Sequence, residues 1–175
     1  MGSDSDAAVM GEASKVLKEF GVAHEMLIAS AHRSPRRTML YATSAEKRGL
    51  KVLICGAGHA AHLAGVVAAH TTIPVVGVPI DSSALKGLDS ILSTVQMPGG
   101  IPVATMAIGK GGAFNAGMLA IEILALSNST LKKKLYAYRK KLEKQVEEKD
   151  KILKKNSSTK VLSPKDLGPK RAMNQ

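Results

Sequence analysis

Three short apolar runs constrain this chain more than any other feature. Lys51-Val52-Leu53-Ile54, Ile73-Pro74-Val75-Val76-Gly77-Val78 and the stretch Val103 to Ile108 are strand-length and lack polar alternation. Such strands are buried on both faces, as in a parallel sheet covered by helices. Helical stretches separate them. Ala7 to Phe20 places Val9, Ala13, Val16, Leu17 and Phe20 at helical spacing, with Gly21 as its stop. Met26-Leu27-Ile28-Ala29 reads as one more strand, and Ser34-Pro35 as a helix start running to about Arg48 before Gly49. Helices are also expected over 60–70, within 81–95, and over 113–126. The pattern predicts an α/β chain with a central parallel sheet.

Charge separates the chain into unequal parts. Residues 1–130 carry a net +1 and residues 131–175 a net +10, of the total +11. An argument from charge to nucleic acid therefore concerns the C-terminal segment alone, and a lysine-rich helix with a solvated face accounts for it. There, Leu131, Leu135, Tyr138, Leu142 and Val146 form a narrow apolar stripe. With no Trp, two Phe and three Tyr, the core must be aliphatic and alanine-rich. A single Cys excludes an internal disulfide and fits a reducing compartment, so a cytoplasmic location is expected. No apolar stretch reaches the roughly 18 residues of a membrane span. Met1 to Asp6 has neither the basic start nor the apolar stretch of a signal peptide.

The helix Ala116 to Leu126 is apolar on nearly every side. A surface helix keeps a polar face. Burial in a subunit interface is therefore expected in preference to burial in the chain's own core.

Three turns carry candidate chemistry. Gly2-Ser3-Asp4-Ser5-Asp6 enters a helix with two hydroxyls and free N–H groups that suit a phosphate, although helix capping alone explains it too. Ser30-Ala31-His32-Arg33 offers a guanidinium for an anion and an imidazole that titrates near neutrality. Between Cys55 and Gly65, three glycines and four alanines leave little side-chain bulk around His59 and His62. An imidazole in that bare turn can both give and take a proton. His59 and His62 are three residues apart without a Cys pair, so no metal site is expected. Gly109-Lys110-Gly111-Gly112 lacks the spacing of a nucleotide triphosphate loop.

Several motifs occur in order: Met1-Gly2-Ser3-Asp4-Ser5-Asp6, Ser30-Ala31-His32-Arg33-Ser34-Pro35, Gly56-Ala57-Gly58-His59-Ala60-Ala61-His62-Leu63, Gly77-Val78-Pro79, Asp89-Ser90, and Val95-Gln96-Met97-Pro98-Gly99-Gly100-Ile101-Pro102-Val103-Ala104-Thr105. Together they resemble the catalytic subunit of phosphoribosylaminoimidazole carboxylase, in its N5-carboxyaminoimidazole ribonucleotide mutase branch. The resemblance implies a flavodoxin-like three-layer sandwich with a catalytic domain over 1–127, and composition adds a lysine-rich helix over 128–154 and a disordered tail over 155–175. It implies transfer of a carboxyl group from the exocyclic nitrogen to C4 of an aminoimidazole ribonucleotide in purine synthesis. A homo-octamer, no metal and no cofactor are implied, with functional coupling or fusion to the ATP-dependent enzyme that makes the carbamate.

By the same resemblance, Ser3, Asp6 and Arg33 bind the nucleotide and His62 shuttles the proton. His32 joins His62 as a catalytic candidate. Ser5, Ser30, Ala31, Gly58, Ala60 and Leu63 complete the expected substrate-binding set. Three alternatives stay open: a direct CO2-dependent aminoimidazole ribonucleotide carboxylase, an inactive relative, and a basic-tail interaction protein.

Two further expectations come from departures. Relatives have Gly where His59 stands and Pro where Ala64 stands, so His59 is expected to be strained if that position needs positive φ. Relatives also have an apolar strand ahead of Met-Gly-Ser. Losing about five buried residues at ~1.5–3 kcal/mol each would exceed a typical domain's stability. The catalytic domain is thus expected to lack its first strand here, and the natural chain to start earlier.

Overall fold

A computed structural model describes residues 1–156. These fall into two compact units, Met1–Lys134 and the segment from Leu135 onward. The expected tail lies, from residue 157 on, outside the described residues.

Three strands form one parallel sheet in the order β1-β2-β3. β1 is Leu53–Gly58, β2 Val75–Ile80 and β3 Ala104–Thr105. β1 and β2 pair from Leu53↔Val75 through Gly58↔Ile80, so both end at the same level. Every residue of β2 is buried, as its unbroken apolar run requires. Gly77 in β2 lets α4 come close: a Cβ there would lie 2.5 Å from Thr94 Cγ2.

The helices are α1 (Ala7–Phe20), α2 (Pro35–Ser44), α3 (Leu63–Ala68), α4 (Leu88–Val95), α5 (Lys110–Ala125) and α6 (Ser129–Asn156). A 3-10 turn, Asp4–Asp6, leads into α1. Gly21 ends α1 in the left-handed conformation, φ 74°, and its N–H returns to Lys18. One apolar cluster packs α2 and α3 on β1 and β2 through Ala42, Leu63, Val67 and Val75. A second packs α1 and α5 on the other face through Met10, Val76, Val78, Ala113 and Ala116. Helices therefore cover both sides of the sheet, consistent with the flavodoxin-like sandwich.

α5 lies largely against its own chain, with Ala113, Ala116 and Ile121 fully covered, while Leu119, Ile123 and Leu124 are half-buried and Leu126 at its C-cap is 89% exposed. Its small residues explain this, because they let α1 approach almost to backbone contact. A Cβ on Gly117 would lie 2.4 Å from Val16 Cγ1 and 3.0 Å from the Ala13 carbonyl. The structure corrects two expectations. Met26–Ala29 is extended but forms no regular strand. It pairs with Met1 alone: the Met1 ammonium donates to the Leu27 carbonyl at 3.0 Å, and Ala29 N–H to the Met1 carbonyl at 2.9 Å. In addition, β3 is only two residues long, since Met106 turns off after donating to Gly77.

Candidate active site

Parallel strands deliver their following loops to one edge of the sheet, where ligands bind in such folds. Here the loops after β1 and β2 meet the N-terminal turn and the Ser30–Arg33 loop. The cleft between them has a volume of about 450 Å³. All eleven expected site residues line it: Ser3, Ser5, Asp6, Ser30, Ala31, His32, Arg33, Gly58, Ala60, His62 and Leu63.

The N-terminal turn is fixed by its own polar groups. Ser3 N–H donates to Asp6 Oδ2 at 3.0 Å, and Ser3 Oγ donates to Asp4 Oδ1 at 2.9 Å. Gly2 N–H donates to the Gly56 carbonyl at 3.0 Å, which ties the turn to β1. Asp6 is only 4% exposed. Burial pushes its carboxyl above the ordinary value of 3.8, against the pull of the Ser3 hydrogen bond and the nearby terminal ammonium.

The Ser30–Arg33 loop is stitched by two serines. Ser30 N–H donates to Ser34 Oγ at 3.0 Å, Ser34 Oγ donates to the Ser30 carbonyl at 3.1 Å, and Arg33 N–H donates to Ser30 Oγ at 3.1 Å. Ser34 stands at the cap position of α2, yet its side chain makes no cap bond and holds the loop instead. Arg33 Nη2 donates to the Gly2 carbonyl at 3.3 Å, so its guanidinium lies beside the N-terminal turn.

His32 and His62 meet across the cleft. Nε2 of His32 and Nδ1 of His62 are 2.8 Å apart, with ring centroids 5.0 Å apart and planes at 85°. One nitrogen must carry the proton and the other accept it. The outer nitrogens, Nδ1 of His32 and Nε2 of His62, are left to exchange protons elsewhere. His62 caps α3 with its backbone: its carbonyl accepts from Val66 N–H at 2.9 Å.

His59 has φ 54°, the left-handed region that favours glycine, so the expected strain is present. Its ring leans on Ser82, Oγ to Nδ1 at 3.1 Å. Ser82, Gly2, Ala57 and His59 also line the cleft and were absent from the expected set. Ser82 follows β2 as the glycine turn follows β1. The matched strand ends were the signal that could have found it. Ala64 is buried in α3. Among the described residues, no three His, Cys, Asp or Glu side chains gather as a metal site, and no helix is long and apolar enough to cross a membrane.

The arrangement offers hydroxyls, a guanidinium and a carboxylate at one end and a proton-carrying imidazole pair beside small residues at the other. A family model described as AIR carboxylase matches residues 1–145. The N5-carboxyaminoimidazole ribonucleotide mutase of Pyrococcus horikoshii is 54% identical over 163 residues, covering 93% of this chain and 91% of that protein. The protein of the same name from Thermotoga maritima is 48% identical over 166 residues, covering 95% and 96%. Among solved structures, Treponema denticola PurE superposes with a TM-score of 0.78 at 27% identity, over 88% of this chain and 95% of its own.

Proposed function

The chain belongs to the AIR carboxylase family, and from that premise we propose that it interconverts N5-carboxyaminoimidazole ribonucleotide and 4-carboxyaminoimidazole ribonucleotide in purine biosynthesis. What carries this reading is the identity to proteins named for that mutase activity, 54% over 93% of the chain for the Pyrococcus horikoshii protein. The cleft is compatible with it in each part.

Arg33, Ser3 and Ser5 hold the phosphate and Asp6 takes ribose hydroxyls. A guanidinium and hydroxyls are donors for phosphate oxygens, and an aspartate accepts from alcohols. The Ser30-Ala31 and Gly58–Leu63 segments form the walls around the base. Small residues there let the backbone approach a flat ring.

The chemistry needs one proton moved twice. The His32–His62 pair delivers a proton to the exocyclic nitrogen as the N–CO2 bond breaks, leaving aminoimidazole ribonucleotide and CO2. C4 then attacks the CO2 carbon, forming the new C–C bond. The pair, now one proton short, removes the C4 proton and restores aromaticity. Protons and electrons balance, and the imidazoles end as they began. A proton can leave from an outer nitrogen while the bridging proton shifts across the 2.8 Å contact. Small residues beside the imidazole pair leave room for CO2 next to C4 until it recombines.

Turnover of purified protein with the carbamate ribonucleotide tests the reading. Formation of the C4-carboxylate without added bicarbonate is the expected result. Efficient turnover of aminoimidazole ribonucleotide with low bicarbonate, and none with the carbamate, would assign the direct carboxylase instead. The same proposal includes a cytoplasmic homo-octamer working in sequence with the ATP-dependent enzyme that makes the carbamate. Light scattering coupled to size exclusion measures the assembly.

A further inference from the structure

Three imidazoles line the cleft, and the proposed reaction uses two of them, His32 and His62. His59 is left over. It holds φ 54° in a turn otherwise made mostly of glycine and alanine, a backbone conformation that a side chain makes costly. Strain of this kind persists only where the surroundings hold it, and it gathers at ligand sites.

The loop after β2 holds His59. Ser82 Oγ lies 3.1 Å from His59 Nδ1. The same hydroxyl rests on the backbone of Gly58, where a Cβ would lie 1.8 Å from it. The missing side chain at Gly58 therefore lets Ser82 reach the imidazole. The loop is itself anchored. Ser90 is fully buried, with its hydroxyl 3.0 Å from the Ile80 carbonyl and 2.9 Å from that of Gly87. The Ser83 hydroxyl and Ser90 N–H bind the Asp89 carboxylate and, with a smaller pull from His59, keep its carboxyl below the ordinary value of 3.8. Among the described residues, Nε2 of His59 has no hydrogen-bond partner.

β1 separates this margin of the cleft from the phosphate end. On one edge of β1, Gly2 N–H donates to Gly56 and Arg33 reaches the Gly2 carbonyl. On the other edge β2 pairs as far as Gly58↔Ile80, and His59 and Ser82 follow those two residues. A ribonucleotide runs from phosphate through ribose to base and substituent. With its phosphate at Arg33, its far end crosses the β1 turn toward His59.

Charge makes the same demand. A carboxylated ribonucleotide brings two anionic groups. Among the described residues that line the cleft, Arg33 alone is a Lys or Arg, and it serves the phosphate. The His32–His62 pair is engaged in proton transfer. His59 is the remaining cation-forming side chain. When Ser82 Oγ donates to Nδ1, the ring proton sits on Nε2, the nitrogen left without a partner.

Resting on the mutase reading, we propose that His59 is a specificity-determining residue. Its Nε2–H binds the carboxylate of the ribonucleotide, and Ser82 is the positioning residue that fixes the tautomer and the ring. A ribonucleotide without the carboxylate gains nothing from this contact.

Calorimetric titration of 4-carboxyaminoimidazole ribonucleotide and of aminoimidazole ribonucleotide tests the contact in the parent, His59→Gly and Ser82→Ala, each checked for folding by circular dichroism. His59→Gly should weaken the carboxylated ligand by about 10-fold or more, the scale of a hydrogen bond to a charged group, and leave the uncarboxylated one within about twofold. Ser82→Ala should shift the ratio of the two affinities in the same direction, which a general loosening of the cleft would not do. Equal effects on both ligands, or none, overturn the contact, while binding of both by the parent leaves the mutase reading standing. A parent that binds neither ligand overturns that reading and the contact with it.

Discussion

His32 Nε2 and His62 Nδ1 lie 2.8 Å apart although 30 residues separate them in the chain. The Ser30–Arg33 loop and the turn after β1 converge at the strand ends, and the two rings meet edge to face at 85°. Neither ring can be understood alone, because a shared proton couples what each can donate or accept.

That coupling sets the first prediction. His62→Asn and His32→Asn should each lower kcat by about 100-fold or more, the range for loss of a general acid–base group. The double variant should lose little beyond the worse single variant, since the rings act as a unit. Near-normal turnover of folded His62→Asn, checked by circular dichroism, would remove the pair from the mechanism.

Asp6 should make stability fall as pH rises. Its folded pKa is raised by burial, so its favourable contribution is full below the ordinary value of 3.8 and is lost as pH rises through the folded value. Asp6→Asn removes this dependence. The variant should match the parent near pH 3.5 and exceed it at pH 7 in urea denaturation, while losing substrate affinity. A variant less stable than the parent at pH 7 contradicts the assigned cause.

His59 offers a test of strain. At φ 54° a side chain costs about 1–2 kcal/mol, offset in a glycine by roughly 0.4–1 kcal/mol of extra unfolded-chain entropy. His59→Gly should therefore gain up to about 1 kcal/mol, even with the Ser82 contact gone. His59→Val, branched at Cβ, should lose about 1 kcal/mol or more. Denaturation midpoints of the two variants should fall on opposite sides of the parent.

Adjacent glycines at the start of α5 should respond in opposite directions. A Cβ on Gly112 would lie 1.6 Å from the Ala107 carbonyl oxygen, a backbone atom that cannot swing aside, whereas one on Gly111 meets nothing within 4 Å. Gly112→Ala should cost about 4 kcal/mol or more, or prevent folding. Gly111→Ala should stabilise by up to about 1 kcal/mol, the helix propensity difference. Thermal melting of both variants distinguishes local packing from propensity.

The chain's own chemistry determined the layers. Unbroken apolar runs identified β1 and β2, helical spacing and Gly21 bounded α1, and bare glycine-alanine turns marked where a ligand approaches. The motif order also carried the family and all eleven residues that the fold gathers at one cleft. Pairing was not legible there. An apolar helix such as α5 specifies burial but not its partner. Its small residues suit a close neighbour, and only the tertiary packing shows that α1 is the one that meets Gly117.

Met26–Ala29 has a strand's composition, but a strand exists only with neighbours, and beyond Met1 the described chain supplies none. Ser34 has a cap's position and a loop stitch's bonds, a choice made by the nearby Ser30 groups. Ser82 and His59 meet because β1 and β2 end in register, Gly58 opposite Ile80. Local pattern is encoded in neighbouring residues, whereas contact depends on where distant segments come to rest. The imidazole pair belongs to the second kind.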